Sequence, residues 1–116
     1  RPAGTIFRSE LVRATHDGRP GYLLAQLGPE PHRPHGRFQG WVITRVFPDD
    51  PALCANLCDL RVGDVILTVN GSPLERPEQL SKLVAALPHL DRLEVRSLRG
   101  GSMRTNVYPI IADPTP

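Results

Sequence analysis

Apolar residues follow two different periods along this chain. In "RPEQLSKLVAALP", Leu80, Leu83, Val84 and Leu87 recur at a helical spacing of three or four residues, and Pro88 ends the pattern. In "DRLEVRSLRGGSMRTNVYPI", apolar positions alternate on either side of a Gly-Gly pair, which is typical of a β-hairpin. These two patterns predict one long helix followed by two closing strands.

Two further strands are predicted in the middle of the chain. "GWVITRVF" is rich in β-branched and aromatic residues. "VILTVNG" is a buried run that begins after Gly63-Asp64 and ends in the turn pair Asn70-Gly71. The first glycine permits a tight turn, and the aspartate is expected to bond backbone amides there. Both corners therefore predict a short strand held between two turns.

The first 35 residues predict shorter elements. Ser9 is expected to cap a short helix in "FRSELVRAT", and "GYLLAQLG" is a second short helical piece that ends at Gly28-Pro29. "PEPHRPHGRF" contains several prolines and predicts an edge strand, because proline is tolerated only at the edge of a sheet. Residues 1–5 and 112–116 are typical of frayed ends.

Composition excludes several classes of protein. The chain has 116 residues, 40% apolar and 22% charged, with a net charge of +2, which is typical of one soluble domain. No apolar run approaches the roughly 20 residues of a transmembrane helix. The basic residues are scattered and lie beside acids, so we expect no nucleic-acid binding. Because the chain begins at Arg1, we expect a fragment or processed form, so that any membrane anchor or export signal would lie outside it.

Catalytic and metal-binding patterns are weak. No serine lies in a Gly-x-Ser-x-Gly elbow, and the phosphate-loop and dinucleotide fingerprints are absent. His32 and His35 form a His-x2-His pair beside prolines, but two ligands do not complete a zinc site. We therefore predict no enzymatic activity, no cofactor and no metal.

The two cysteines have more than one interpretation. Asp50 and Pro51 predict the start of a short helix, on which Cys54 and Cys58 share a face. The cysteines either pack as small apolar residues or form a disulfide in an oxidising compartment, which requires a distorted helix end. A metal pair is disfavoured because no second pair of ligands lies nearby.

The predicted order of strand, short helix, strand, long helix and hairpin resembles that of a bacterial PDZ domain. The resemblance rests on "GWVITRVFPDDPA" and on the Leu-x-x-Gly-Asp-x-Ile-x-x-x-Asn-Gly pattern of "LRVGDVILTVNG". It implies an α+β fold, a small, partly open β-barrel or sandwich of five to six strands with two helices. Residues 1–35 are then an N-terminal helical extension with a lead-in strand, 36–111 the PDZ domain and 112–116 a tail.

The resemblance also implies a binding site for protein segments. In this family an extended peptide adds to one strand beside the long helix, and the loop before that strand holds the terminal carboxylate. Carried onto this chain, the peptide-binding groove comprises Arg37, Phe38, Gln39, Gly40, Trp41, Val42, Ile43, Thr44, Leu80, Leu83, Val84 and Leu87. Core packing is the alternative for Leu83 and Leu87, and also for Trp41 if its ring is half buried. The "LRVGDVILTVNG" stretch is expected to support the fold and not to touch a ligand.

The region before the domain resembles one particular group of bacterial PDZ domains. "IFRSELVRA" and "LAQLGPEPHRPHGRFQGWVI" are similar to the lead-in of the PDZ domain of type II secretion system protein C. This implies a non-enzymatic domain of a periplasmic, inner-membrane-anchored component that binds extended segments of exported proteins or of secretion-machinery partners. The alternative is a regulatory or substrate-presenting PDZ domain of an HtrA-type serine protease or a site-2 metalloprotease.

Overall fold

The computed structural model describes residues 4–15, 21–49 and 59–113. The predicted helix after Asp50 and both cysteines lie outside these residues, so the helix and the disulfide stay predictions. The elements are β1 (Ile6–Phe7), α1 (Arg8–Thr15), α2 (Gly21–Leu27), β2 (Glu30–His32), a 3-10 turn (Pro34–Gly36), β3 (Gly40–Val42), β4 (Val65–Val69), α3 (Pro77–Ala86), a second 3-10 turn (Leu87–His89), β5 (Arg92–Arg99) and β6 (Ser102–Ile111).

The strands form one six-stranded sheet in the order β1-β6-β5-β4-β3-β2. β1 is parallel to β6, and the other neighbours are antiparallel. The sheet does not close on itself, because β1 and β2 lie at opposite ends of the order. This confirms the predicted α+β fold, the edge strand at β2 and the hairpin that turns at Gly100–Gly101. The partly open barrel or sandwich of five to six strands takes the form of a single open sheet of six strands.

The Gly63-Asp64 corner is stabilised by a buried carboxylate. Gly63 has a φ of 97°, and the Asp64 residue is 2% exposed. The Asp64 Oδ2 atom accepts hydrogen bonds from the Arg61 backbone N–H at 3.0 Å and from Arg99 Nη2 at 2.8 Å, and Oδ1 accepts from Arg99 Nε at 2.9 Å. The expected bond to a backbone amide is confirmed, and the Arg99 hydrogen bonds hold the pKa of Asp64 below its ordinary value.

The Asn70-Gly71 turn follows β4 and begins the segment that carries α3 and leads to β5. Asn70 has a φ of 50°, in the left-handed region that asparagine tolerates. Its Oδ1 accepts from the Glu94 N–H at 2.6 Å, and its Nδ2 donates to the Arg92 carbonyl at 3.1 Å. The two ends of the segment that carries α3 are therefore held together by one side chain.

The N-terminal extension is bound to the end of the long helix. The Arg8 guanidinium donates to the carbonyls of Leu87, Pro88 and Leu90 at 3.2, 2.7 and 3.0 Å. The prediction that Ser9 caps α1 is wrong, because the helix begins at Arg8 and Ser9 is its second residue. The Ser9 N–H instead donates to Asp113 Oδ1 at 3.0 Å, and Glu10 Oε1 accepts the N–H of Phe7, the residue before the helix, at 2.8 Å.

The core lies between the sheet and the helices. Its buried apolar residues are Ile43, Phe47, Val65, Val84, Leu87, Tyr108 and Ile110. α2 is joined to the loop after β3 by Gln26, which is 3% exposed. Its Nε2 donates to Asp49 Oδ2, and its Oε1 accepts the Asp49 backbone N–H, both at 3.0 Å. Among the described residues, no helix is long and apolar enough to cross a membrane.

Candidate functional site: an apolar cavity between two helices

An apolar cavity of about 850 Å³ lies between α2, α3 and the sheet. Side chains from α2, the α3 segment and the sheet form most of its wall, and the N-terminal extension adds Ile6 and Leu11. α2 contributes Leu23, Leu24 and Leu27, the α3 segment contributes Leu80, Leu83, Val84 and Leu87, and the sheet side contributes Trp41, Ile43, Ile66, Leu93 and Val95. The cavity therefore presents mainly aliphatic surface, as sites for apolar groups do.

The rim of the cavity reaches the surface. Leu24 is 39% exposed, and Arg45, Glu75 and Arg76 are exposed charged residues that also line the cavity. A sealed, empty cavity of this volume would cost on the order of 20 kcal/mol at about 24 cal/mol per Å³. That exceeds the whole stability of a typical domain, about 5–15 kcal/mol. The geometry is therefore that of an open groove.

The sequence-predicted groove and this cavity overlap in part. All four predicted residues of the helix wall line the cavity, and so do Trp41 and Ile43. Arg37, Phe38, Gln39, Gly40, Val42 and Thr44 do not line it. The structure thus brings the predicted apolar residues of α3 together with two strand residues and leaves the predicted loop outside the cavity.

Strand β3 has neighbours on both edges. β2 pairs along one edge, with His32 opposite Gly40, and β4 pairs along the other, with Ile66 opposite Trp41. Beyond the strand, the Ile43 N–H donates to the Asp64 carbonyl at 2.9 Å and the Thr44 N–H donates to the Leu27 carbonyl at 3.1 Å. A peptide can add to residues 40–44 only by displacing β2 or α2.

The loop before β3 uses its amides within the chain. The Arg37 N–H donates to the Pro34 carbonyl at 3.2 Å, and the Gln39 N–H donates to the His32 carbonyl at 2.8 Å. Gly40 is buried, and a Cβ atom there would overlap the carbonyl oxygen of Ile66. Gly40 therefore allows β3 to pack close to β4, where a larger residue would not fit. It does not expose the backbone to a ligand.

Trp41 is half buried and held in one orientation. Its Nε1 donates to the Leu74 carbonyl at 3.0 Å, and its ring lies edge-on to Phe38 with 5.2 Å between ring centroids. The Arg33 guanidinium lies 5.7 Å from the centroid of the Phe38 ring, within the range of a cation–π contact. Trp41 thus forms part of the cavity wall, and its contacts with Leu74 and Phe38 hold the ring in place.

A polar cluster lies near one end of the β5–β6 hairpin. The Asp59 carboxylate pairs with Arg104 and, at 3.4 Å, with Arg99, and the Tyr108 hydroxyl accepts the Asp59 N–H at 3.3 Å. Burial raises the pKa of Tyr108. These groups bond to one another and do not form a nucleophile and base pair. Within 4–15, 21–49 and 59–113, no three His, Cys, Asp or Glu side chains are grouped to hold a metal ion.

Sequence reasoning missed the α2 wall. Leu23 and Leu27 are four residues apart, and Leu24 lies beside them, so all three fall on one side of a helix. The sequence predicted a helical piece here but gave it no part in binding. Its helical spacing was the available signal, and only the folded chain places α2 opposite α3.

Comparison with solved structures identifies the fold. No family model matches the chain. The PDZ domain of EpsC from Vibrio cholerae, residues 204–305, aligns with a TM-score of 0.58 at 16% identity, over 88% of this chain and 94% of that one. The PDZ domain of the pullulanase C protein of the type II secretion system from Klebsiella pneumoniae, solved in complex with fatty acid, aligns with a TM-score of 0.53 at 17% identity, over 85% and 98%. The chain therefore has the PDZ fold, which confirms the predicted resemblance.

Sequence comparison gives a second set of relatives. The magnetosome formation protease MamE of Magnetospirillum gryphiswaldense is 36% identical over 81 residues, 70% of this chain and 10% of that protein. A probable periplasmic serine endoprotease, DegP-like, of Halomonas elongata is 37% identical over 57 residues, 49% of this chain and 12% of that protein. The chain spans about a tenth of the length of these relatives.

Proposed function

We propose that this PDZ-fold domain is a non-enzymatic interaction module that binds an extended, apolar protein segment in the cavity between α2 and α3. The observation that carries the proposal is the cavity itself, about 850 Å³ with leucines from both helices in its wall and charged residues at its rim. PDZ domains bind protein segments in extended form. A site of this volume accommodates several apolar side chains.

Side-chain packing is the main source of affinity in this proposal. β3 has no free edge over residues 40–42, and the amides of Arg37 and Gln39 already donate within the chain. The segment is therefore bound by burial of its apolar side chains, with Arg45, Glu75 and Arg76 orienting it at the rim. A terminal carboxylate is not required, in contrast to the mode that the resemblance implied.

Fluorescence of the single tryptophan, Trp41, tests the proposal, because its ring lines the cavity. A short Leu- and Val-rich peptide is titrated in two forms, with a free carboxylate and with a C-terminal amide. Both should shift the emission, with dissociation constants within about threefold of each other. If only the free acid binds, the ligand is a chain terminus and not an internal segment.

Substitution at the rim locates the site. Leu24→Glu should weaken peptide binding about 30-fold, because it removes roughly 2 kcal/mol of leucine burial. Val62→Glu is the matched control, since Val62 is 67% exposed and does not line the cavity. Equal binding by Leu24→Glu and the unmodified chain would show that the groove assignment is wrong.

An acyl chain is a second candidate occupant. The apolar wall favours it, and the Klebsiella pneumoniae PDZ domain was solved in complex with fatty acid. Palmitate should then displace the peptide competitively, with the same sensitivity to Leu24→Glu. Binding of palmitate in the absence of any peptide binding would make the domain a lipid-binding module.

For the whole protein, we infer a periplasmic, inner-membrane-anchored component of type II secretion, similar to protein C, that binds exported proteins or secretion-machinery partners. The likeness to the EpsC and pullulanase C domains supports this inference. Substrate presentation in a protease is the alternative, supported by the similarity to MamE and the DegP-like protein. The coding sequence upstream of Arg1 discriminates, since a transmembrane helix with a linker supports secretion and a serine-protease domain supports the alternative.

A further inference from the structure

Strand β6 has one edge that is largely free in the described part of the chain. β5 pairs along its other edge, from Arg92 opposite Pro109 to Arg99 opposite Ser102. On the free side, β1 covers only Ile110 and Ile111. Residues 102–108 therefore present an edge without a strand neighbour among residues 4–15, 21–49 and 59–113. Such an edge is a template for pairing with another chain.

The hairpin register fixes which amides face this edge. Arg99 and Ser102 flank a two-residue turn, so they exchange backbone hydrogen bonds, and every second pair after them does the same. Met103, Thr105 and Val107 fall between those pairs and direct their N–H and C=O groups away from β5. Two facts agree with this assignment: Pro109, which has no N–H, falls in the same outward set, and the Ile110 N–H donates to the Asp91 carbonyl at 2.8 Å.

The free edge is complementary to itself. Residues 102–108 are centred on Thr105, which is one of the outward residues. When two such edges run antiparallel about that centre, Thr105 lies opposite Thr105, and Met103 lies opposite Val107 of the second copy. The outward groups of these residues then form about six backbone hydrogen bonds, three accepted by each copy.

Pairing centred on Arg104 or on Val107 is less favourable than pairing centred on Thr105. A centre at Arg104 would place two arginines opposite each other and would direct amides that already bond to β5 toward the second copy. A centre at Val107 would place Thr105 opposite Pro109, which cannot donate, and would extend into the residues that β1 occupies. A centre at Thr105 instead places Arg104 opposite Asn106.

The side chains on this edge also suit a second copy. Met103 is 57% exposed and Val107 47% exposed, although both are large apolar residues. In the pairing centred on Thr105, Met103 of each copy packs against Val107 of the other copy. Both side chains are then buried in the dimer, although they are exposed in a single copy. Arg104 points to the other face of β6, where it forms a salt bridge with Asp59. The edge therefore carries no unpaired arginine charge that would oppose pairing.

We propose that a second copy of this chain pairs antiparallel along β6, centred on Thr105, to join two sheets across a two-fold axis. Met103, Thr105 and Val107 do not line the cavity, so the pairing leaves both grooves free. One dimer then presents two binding sites and gains avidity for any partner that carries two segments.

Thr105→Pro tests the proposal in the protein as it stands. Proline at an outward position removes both Thr105 hydrogen bonds across the two-fold axis, one donated by each copy, but none to β5, as the native Pro109 shows. Sedimentation velocity over a concentration series should show a dimer for the unmodified chain and for Thr105→Val, which keeps the amide. Thr105→Pro should raise the dimer dissociation constant about tenfold or more.

If Thr105→Pro fails to fold, amide hydrogen exchange of the unmodified chain tests the same pairing. In the unmodified chain, the amides of Met103, Thr105 and Val107 should exchange more slowly as the protein concentration rises, while the Arg104 amide should not change. A chain that is monomeric up to about 1 mM, or outward amides whose exchange is independent of concentration, would overturn the proposal.

Discussion

The substitution Asp64→Asn removes the charge that joins the corner before β4 to the end of β5. The Asp64 residue is 2% exposed, and its carboxylate accepts two hydrogen bonds from Arg99 and one from the Arg61 backbone. Removal of one member of a buried ion pair costs about 3–5 kcal/mol, because the other charge loses its counterion. Asp59 still provides Arg99 with a carboxylate at 3.4 Å, so we expect a loss of stability at the lower end of this range, about 3 kcal/mol.

The expected shift in melting temperature follows from the chain length. At about 2.1 cal/mol/K per residue, 116 residues give an entropy of unfolding of about 0.24 kcal/mol/K. A loss of about 3 kcal/mol then lowers the melting temperature by about 12 °C. Urea unfolding followed by circular dichroism measures the free energy difference directly. Asp59→Asn is the matched control and should cost less than about 1 kcal/mol, because the Asp59 side chain is 47% exposed.

The stability difference between the two proteins should depend on pH in one direction. The folded-state pKa of Asp64 is lowered from its ordinary value of 3.8, chiefly by the Arg99 hydrogen bond. The carboxylate therefore contributes its full stability above that ordinary value and loses it as the pH falls through the lowered folded-state pKa. The difference in free energy of unfolding between the unmodified chain and Asp64→Asn should be constant near neutral pH and should decrease in acid. A gap of less than about 1 kcal/mol at neutral pH would refute the reasoning.

Two further substitutions test how the site is supported. Gly40→Ala should destabilise the domain by about 1–3 kcal/mol in urea unfolding, because the new methyl group would overlap the Ile66 carbonyl; Gly21→Ala has no neighbour within 4 Å and should be neutral. Arg8→Ala should speed amide exchange in α1 while β4 and β5 stay protected, since three carbonyls at the end of the α3 segment lose their donor. Exchange in α1 that does not change would show that Arg8 does not hold the extension.

Strong local patterns predicted much of the fold. The four apolar residues of "LSKLVAAL" gave α3, and Gly100–Gly101 gave the hairpin, because each signal lies within one element. "GWVITRVF" was predicted as one strand, yet β3 ends at Val42. The following amides bond to α2, with the Phe47 N–H donating to the Gln26 carbonyl at 2.9 Å, and Phe47 adopts a φ of 43°. Tertiary contacts therefore override β propensity at this point.

The site was less predictable, because it depends on neighbours that are distant in sequence. The composition of "FQGWVIT" shows a strand, but it cannot show that β2 and β4 occupy both of its edges. Trp41 was expected either to anchor a ligand or to pack in the core, and its half-buried ring forms part of a cavity wall. Edge availability is a property of the sheet order, which no local pattern in "FQGWVIT" contains.

The bonds of Asn70 have a consequence for the way this domain diversifies. They hold together the two ends of the segment from Gly71 to Asp91, which contains α3, at the adjoining ends of β4 and β5. A segment whose ends meet behaves as a closed loop, and its length and sequence change at little entropic cost to the rest of the chain. Ligand preference can thus evolve by replacing one wall of the cavity, while the sheet keeps its register.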